Sequence, residues 1–430
     1  MSAEFEIQGI GITELAERHG TPLYVYDGDA LAANFRSLRE RLHPRAEIFF
    51  SLKANPNLSI CALLGAQGAR AEISSMTELV TARRAGIAPR DIIFLGPGKS
   101  RAELAACLDE GIYAIVCESL GELELIDELA RERGVTAPVA LRVNPSFSVK
   151  GSGLTMGGKP RQFGIDETVL FDQSDLAGRH ANVRLMGVQV YMGTRILNEE
   201  VVAENTGRIF DLAERLSEKL GFDLDLVDFG GGFGVAYFDG ERDLDQERLT
   251  TLLNPVIEEF AARHPGTRLI NELGRYLTAP YGTYVSRVRY VKTSMDENFA
   301  VVDGGTNHHM AAVGIGSFVK RNFPIRLLNR TDAGETESWH VTGPLCTPND
   351  TLGKKVQLPP LRPGDLIGVE RSGAYGPTAS PVHFLSHGYP AEVLVTGGRD
   401  HLVGAPEQPE DLLRRQRLYT DDAPAADAAH

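Results

Sequence analysis

The amino-acid sequence predicts an α/β unit joined to an antiparallel β domain, and three observations carry that reading. Between residues 28 and 275, about eight short apolar runs alternate with helical patterns; runs of this kind suit strands buried on both faces. After residue 275 the long helical patterns stop. Strand-like stretches separated by Asp-Gly, Pro-Gly and Asn-Asp turns replace them, which is the texture of an antiparallel sheet. The length, 430 residues, fits two domains, one of them with the roughly 250 residues of a barrel.

Taken in order, TPLYVYDG is a strand placed to join the β domain. DALAANFRSLRERLH is the first helix, because Leu31, Phe35, Leu38 and Leu42 fall on one stripe. The strand runs follow as AEIFFSL, ARAEI, DIIFLG, YAIVC, PVALRVN, LMGVQVYM, DLVDFGG and RLINEL. Ser75 with Glu78 and Ser119 with Glu122 have capping-box spacing, so helices start there. Eight strand–helix units are what a closed (β/α)8 barrel needs. An open doubly wound sheet shows the same alternation, so periodicity leaves both open. The β domain takes YGTYVSRVRYVKT, NFAVVDGG, HVTGP, DLIGVE and AEVLVTGG. The expected division is residues 28–275 for the α/β unit, 1–27 with 276–404 for the β domain, and 405–430 as a mobile tail rich in Ala, Asp and Pro. A long Gly-rich loop at 145–164 is a candidate lid, with Lys150, Lys159 and Arg161 as basic groups.

The formal net charge of −14 argues against a nucleic-acid partner and requires a local basic pocket for any anionic substrate. Cys61, Cys107, Cys117 and Cys346 are scattered without metal spacing, which fits a reducing, cytoplasmic setting. MSAEFEIQGI lacks the pattern of a signal peptide, and no apolar stretch reaches the roughly 18 residues of a membrane span.

Catalytic groups of a barrel gather at the C-terminal ends of its strands. Lys53 ends the first run. Partly desolvated there, with a lowered pKa, it could form a Schiff base, or it could simply snorkel. Gly230, Gly231 and Gly232 follow the seventh run as a candidate phosphate cradle, or as a tight turn. Glu272 and Arg275 follow the eighth, suited to a ring nitrogen and a phosphate, or to a local ion pair. Tyr191 ends the sixth run, where a ring could stack on a flat cofactor or fill core. Cys346 in GPLCTPND and Tyr375 in SGAYGPT are Gly-flanked and turn-like; the plainer fate of Cys346 is a buried small hydrophobe. His308 and His309 lack a third ligand at metal spacing, and no GxSxG elbow or full Walker A string occurs.

Together and in this order, these strings resemble the fold-type III pyridoxal-phosphate decarboxylases, the family of the diaminopimelate, ornithine and arginine decarboxylases, from about Thr21 to Val395. The resemblance implies an alanine-racemase-like (β/α)8 TIM barrel plus a C-terminal antiparallel β domain, pyridoxal 5'-phosphate as cofactor, and a head-to-tail homodimer with shared sites. SLKAN makes Lys53 the Schiff-base lysine, with Glu72 beside it. Gly230 to Gly232, Gly274, Arg275 and Tyr375 would hold the phosphate, and Glu272 would keep the ring nitrogen protonated. Tyr191 and Thr194 would face the ring. GPLC makes Cys346 the proton donor in the partner's site, after substrate displaces Lys53 and CO2 leaves. Arg275, Arg321, Thr347 and Tyr375 would contact substrate.

Three departures from the family stand out. Tyr191, in VYMGTR, replaces a stacking histidine. EPGR has become Glu272-Leu273-Gly274-Arg275. Thr347 stands where relatives that bind a distal amino group carry Asp or Glu, which weighs against ornithine, lysine or diaminopimelate. SGAYGPTASPVHFLSH, GPLCTPNDTLGK and MGGKPRQFG resemble a natural-product subgroup, the butirosin-type L-glutamyl-[acyl-carrier protein] decarboxylases. The implied substrate is therefore glutamyl-type, free or carrier-tethered. A diaminopimelate decarboxylase, an amino-acid racemase and a catalytically inactive regulatory homologue are the alternatives.

Overall fold

The computed structural model describes residues 4–148, 154–155, 157–173, 176–314, 321–330 and 335–419. Eight parallel strands form the centre: β1 (Ala46–Ser51), β2 (Arg70–Ile73), β3 (Ile92–Phe94), β4 (Ala114–Cys117), β5 (Ala137–Asn144), β6 (Val183–Gln189), β7 (Leu226–Gly231) and β8 (Arg268–Leu273). Each pairs with its successor. β8 returns to β1 with Leu269 opposite Ala46, so the sheet closes and the open alternative is excluded. Phe49, Ile93, Val116, Met186, Leu226 and Ile270 fill the interior. The barrel is therefore a packed core whose chemistry is confined to its rim.

The first helix, Gly28–Arg41, is capped by the Asp27 side chain on Ala30 N and buries Leu31, Phe35 and Leu38. Ser75 and Ser119 do accept from Glu78 N and Glu122 N, at 3.2 and 3.1 Å. Their glutamates, however, reach one residue beyond the cap, to Ser74 N and Glu118 N. The reciprocal box forms at Ser100 and Glu103 instead.

The β domain encloses the chain's first long strand. Leu23–Asp27 lies antiparallel to Gly282–Ser294 and parallel to Ala391–Thr396. The sheet is mainly antiparallel, with a second parallel pairing between Glu297–Val302 and Glu337–Thr342. Beyond it, Glu407 N donates to Tyr389 O and a short helix spans Pro409–Leu413; residues 420–430 lie outside the described residues. Among the described residues, no helix is long and apolar enough to cross a membrane.

Candidate active site

The C-terminal rim of the barrel opens on a cavity of about 550 Å³. Lys53 enters it from the turn after β1. Register places Ser51 opposite Glu72, so the turn carries Lys53 Nζ to within 3.0 Å of Glu72 Oε2. Glu72 is wholly buried, and its other oxygen accepts from Ser74 Oγ. The expected lowering of the lysine pKa does not occur. Burial does act to lower it, but the Glu72 and Glu272 carboxylates outweigh burial and hold the ammonium protonated. Burial in turn would raise Glu72, yet Lys53 and the Ser51 and Ser74 hydroxyls keep it below the usual carboxylate range.

Glu272 ends β8. Gln189 Nε2 donates to its carboxylate at 3.4 Å. Burial first, and the charge of Glu72 second, raise its pKa. Asp228 on β7 is fully buried and raised further, by burial and then by Glu272. Its Oδ1 accepts from Gly230 N at 2.9 Å. Its Oδ2 has no donor among the described residues, but as a protonated acid that oxygen can itself donate to Glu272.

The glycines after β7 let the backbone pass where no side chain fits. A Cβ on Gly231 would lie 1.9 Å from Glu272 O, and one on Gly232, whose φ is +74°, would lie 2.1 Å from Gly193 O. A small recess there is bounded by Gly232, Gly274, Thr194, Tyr375 and Arg275. Arg275 Nη1 donates to Tyr237 OH, and its guanidinium lies 4.5 Å from the Tyr375 ring centroid. Among the described residues it has no carboxylate partner, and its buried Nε has no acceptor. An unneutralised guanidinium beside a glycine turn fits a phosphate. Tyr375 is tied to the lysine turn by its N–H on Ala54 O. The Tyr191 ring centroid is 5.9 Å from Lys53 Nζ. Burial, then Tyr375, push its phenol up to about 12, and Thr194 hydrogen-bonds it. The ring facing the cavity is therefore neutral.

Three sequence candidates are not brought into this cavity. Cys346 is exposed, and Thr347 lines a separate hollow with Thr306, Asn349 and Ser380. Their turn is fixed by Asp350, which accepts from Leu345 N at 2.7 Å. Arg321 is half exposed. It stacks on Phe238 at 4.0 Å and reaches Glu241 at 3.4 Å instead.

Sequence reasoning missed Arg142 and Lys99, which line the cavity with Phe163. Arg142 Nη1 donates to Glu118 at 2.7 Å, and Lys99 Nζ meets Glu122 at 2.8 Å. Arg142 sits inside the apolar run PVALRVN; a charge in a buried strand demands a partner, and that was the available signal. The described end of the candidate lid is anchored. Gly158 N donates to Asn144 Oδ1, and Gly164 N to Glu118 Oε2. Lys159 and Arg161 are exposed on it, while Lys150 lies outside the described residues.

Residues 29–279 match the family described as the pyridoxal-dependent decarboxylase, pyridoxal binding domain. The chain is 42% identical over 409 residues to the L-glutamyl-[BtrI acyl-carrier protein] decarboxylase of Niallia circulans, covering 94% of this chain and 96% of that one. It is 31% identical to the diaminopimelate decarboxylase of Aquifex aeolicus, covering 93% and 92%. Among solved structures, AQ1208 from Aquifex aeolicus superposes with a TM-score of 0.86 at 29% identity, covering 96% of each chain. The Helicobacter pylori diaminopimelate decarboxylase complexed with L-lysine gives 0.84 at 29%, covering 94% and 98%. With the lysine, the glycine turn and the free guanidinium in place, these matches across both domains establish that the chain belongs to the pyridoxal-dependent decarboxylase family, as a pyridoxal-phosphate enzyme that decarboxylates an amino acid.

Proposed function

We propose that the enzyme removes the α-carboxylate of a glutamyl-type amino acid presented on an acyl-carrier protein, within a cytoplasmic natural-product pathway. The observation that carries this reading is the 42% identity to the glutamyl-carrier decarboxylase across 94% of the chain, against 31% for the diaminopimelate enzyme. Thr347 supports it, because a threonine after Cys346 offers a substrate ammonium no counter-charge.

In this reading Lys53 Nζ would hold the cofactor, with Glu72 fixing the lysine's position at 3.0 Å. Arg275, Gly230 to Gly232, Gly274 and Tyr375 hold the phosphate. Glu272 would hold the ring nitrogen, and Tyr191 with Thr194 would position the ring. Bound there, pyridoxal phosphate supplies the sink for the electrons released with CO2. The site is completed in a homodimer. The partner subunit's Cys346 returns a proton to the α-carbon, and the partner's Thr347 and the partner's Arg321 border the substrate.

The test is CO2 release by purified holoenzyme from L-glutamate γ-methyl ester, carrier-linked glutamate and meso-diaminopimelate, with Lys53→Ala as control. Release from the glutamyl compounds and loss of the cofactor's visible band in the variant are expected. Preference for meso-diaminopimelate would overturn the substrate assignment. An inert but folded wild type that binds cofactor would favour the regulatory homologue.

A further inference from the structure

On the wall of the cavity beyond Lys53, each cation is already paired with a carboxylate. Its lining is mainly apolar there, with Leu95, Pro97 and Phe163 contributing. The two cations on that wall are Lys99 and Arg142. Lys99, 1% exposed, is held by Glu122 at 2.8 Å and by the carbonyls of Gly96 and Val116 at 2.7 and 2.8 Å. Arg142, 9% exposed, is held by Glu118 at 2.7 Å, and its guanidinium lies 4.7 Å from the Phe163 ring centroid. A third carboxylate, Glu103, lines the same wall and accepts from Ser100 N and Met76 N. The wall thus sets two cations against three carboxylates.

Arg142 still has N–H groups without an acceptor among the described residues, because Glu118 Oε1 takes only Nη1. A guanidinium already balanced by a carboxylate can donate to a neutral carbonyl oxygen. It has little net charge left to offset the desolvation of a second carboxylate. Glu118 is the residue that sets this balance. Its oxygens also accept from Gly96 N at 2.9 Å and Gly164 N at 3.0 Å, so it is fixed against both walls and cannot swing away to release Arg142.

We propose that the Glu118–Arg142 pair makes this cavity selective for a substrate whose distal group is an uncharged acyl carbonyl, an ester, thioester or amide, and excludes the free distal carboxylate. Glu118 is thereby a specificity-determining residue that never touches the reacting atoms. The inference rests on the glutamyl reading above, and it says which form of glutamyl compound the site admits.

The experiment reads binding and turnover separately on the holoenzyme. Binding of 4-aminobutyramide and of 4-aminobutyrate, the decarboxylation products of glutamine and glutamate, is titrated by the cofactor's visible absorption. Turnover is CO2 release from L-glutamate γ-methyl ester and from L-glutamate. The neutral member of each pair is expected to win by about tenfold or more, the scale set by an uncompensated buried charge. Glu118→Gln, which keeps an acceptor for Gly96 N but frees the Arg142 charge, is expected to close that gap by tightening 4-aminobutyrate specifically. Equal or tighter binding of 4-aminobutyrate by wild type overturns the proposal outright, whether or not the variant folds. An unchanged ratio in a folded Glu118→Gln protein overturns the assignment to Glu118. If the neutral product binds tighter while neither glutamyl compound is decarboxylated by the folded holoenzyme, the glutamyl reading fails and the charge selectivity stands.

Discussion

Lys53 has to act as a free amine, yet it faces two carboxylates that favour its charged form. Glu72 is the nearer of the two, at 3.0 Å, and its charge opposes the loss of the lysine's proton. Glu72→Gln removes that charge while keeping a group of the same shape. In apoprotein the rate at which added pyridoxal phosphate develops its visible band is expected to rise with pH as Lys53 deprotonates. In Glu72→Gln that rise should move to lower pH, by about 1 to 3 on the pH scale, the usual effect of one close opposite charge. An unmoved profile would mean that Glu272 alone sets the lysine. The lysine, the glycines and the arginine were legible because each follows an apolar run at a strand end, whereas Glu72, inside β2, was named only through the family resemblance. Asp228 and Gln189 were not. They lie inside such runs, and only the closed barrel shows them converging on Glu272.

At the scale of elements, buried histidines that sequence alone could place only as a failed metal motif tie the turns of the β domain to its strands. His308 Nε2 lies 2.9 Å from Gly388 O and must donate to it, so Nδ1 accepts from Tyr284 OH at 3.2 Å. That tautomer is neutral. Burial drives its pKa down to about 4 from the ordinary 6.5. A depressed folded-state pKa gives stability that is complete above about pH 6.5 and is lost as pH falls toward 4. The stability at stake is roughly 3 kcal/mol, because each tenfold change in proton affinity is worth about 1.4 kcal/mol. The melting temperature is therefore expected to fall across that window, and to fall less steeply in His308→Gln. Equal slopes would place the acid sensitivity elsewhere. Barrel closure was likewise beyond periodicity. The pairing of Leu269 with Ala46 joins the last strand to the first, and neither strand's own residues encode which strand lies beside it.

For the whole molecule, the arrangement of thiols bears on the number of subunits. Cys61, Cys107 and Cys117 are buried, and burial pushes each thiol up to about 12, which leaves them unreactive near neutrality. Cys346 is exposed and is not among the residues that line the cavity of its own Lys53. In the function proposed above, a proton donor so placed would serve the chemistry in another copy's cavity. A two-fold dimer satisfies both copies at once, because the same surface meets itself. The consequence is complementation between two inactive proteins. Lys53→Ala has a sound turn and no cofactor lysine; Cys346→Ala has the lysine and no donor. Dissociated, mixed and reassociated in equal amounts, half of the dimers are hybrids, each with one site that has both groups and one that has neither. Activity is then expected to return to about one quarter of wild type, the statistical share of intact sites in a two-fold assembly. A mixture as inactive as its components, with hybrid dimers demonstrated by mass, would show that Lys53 and Cys346 do not work across the interface. The proton donor would then have to be sought among the groups of the chain's own cavity.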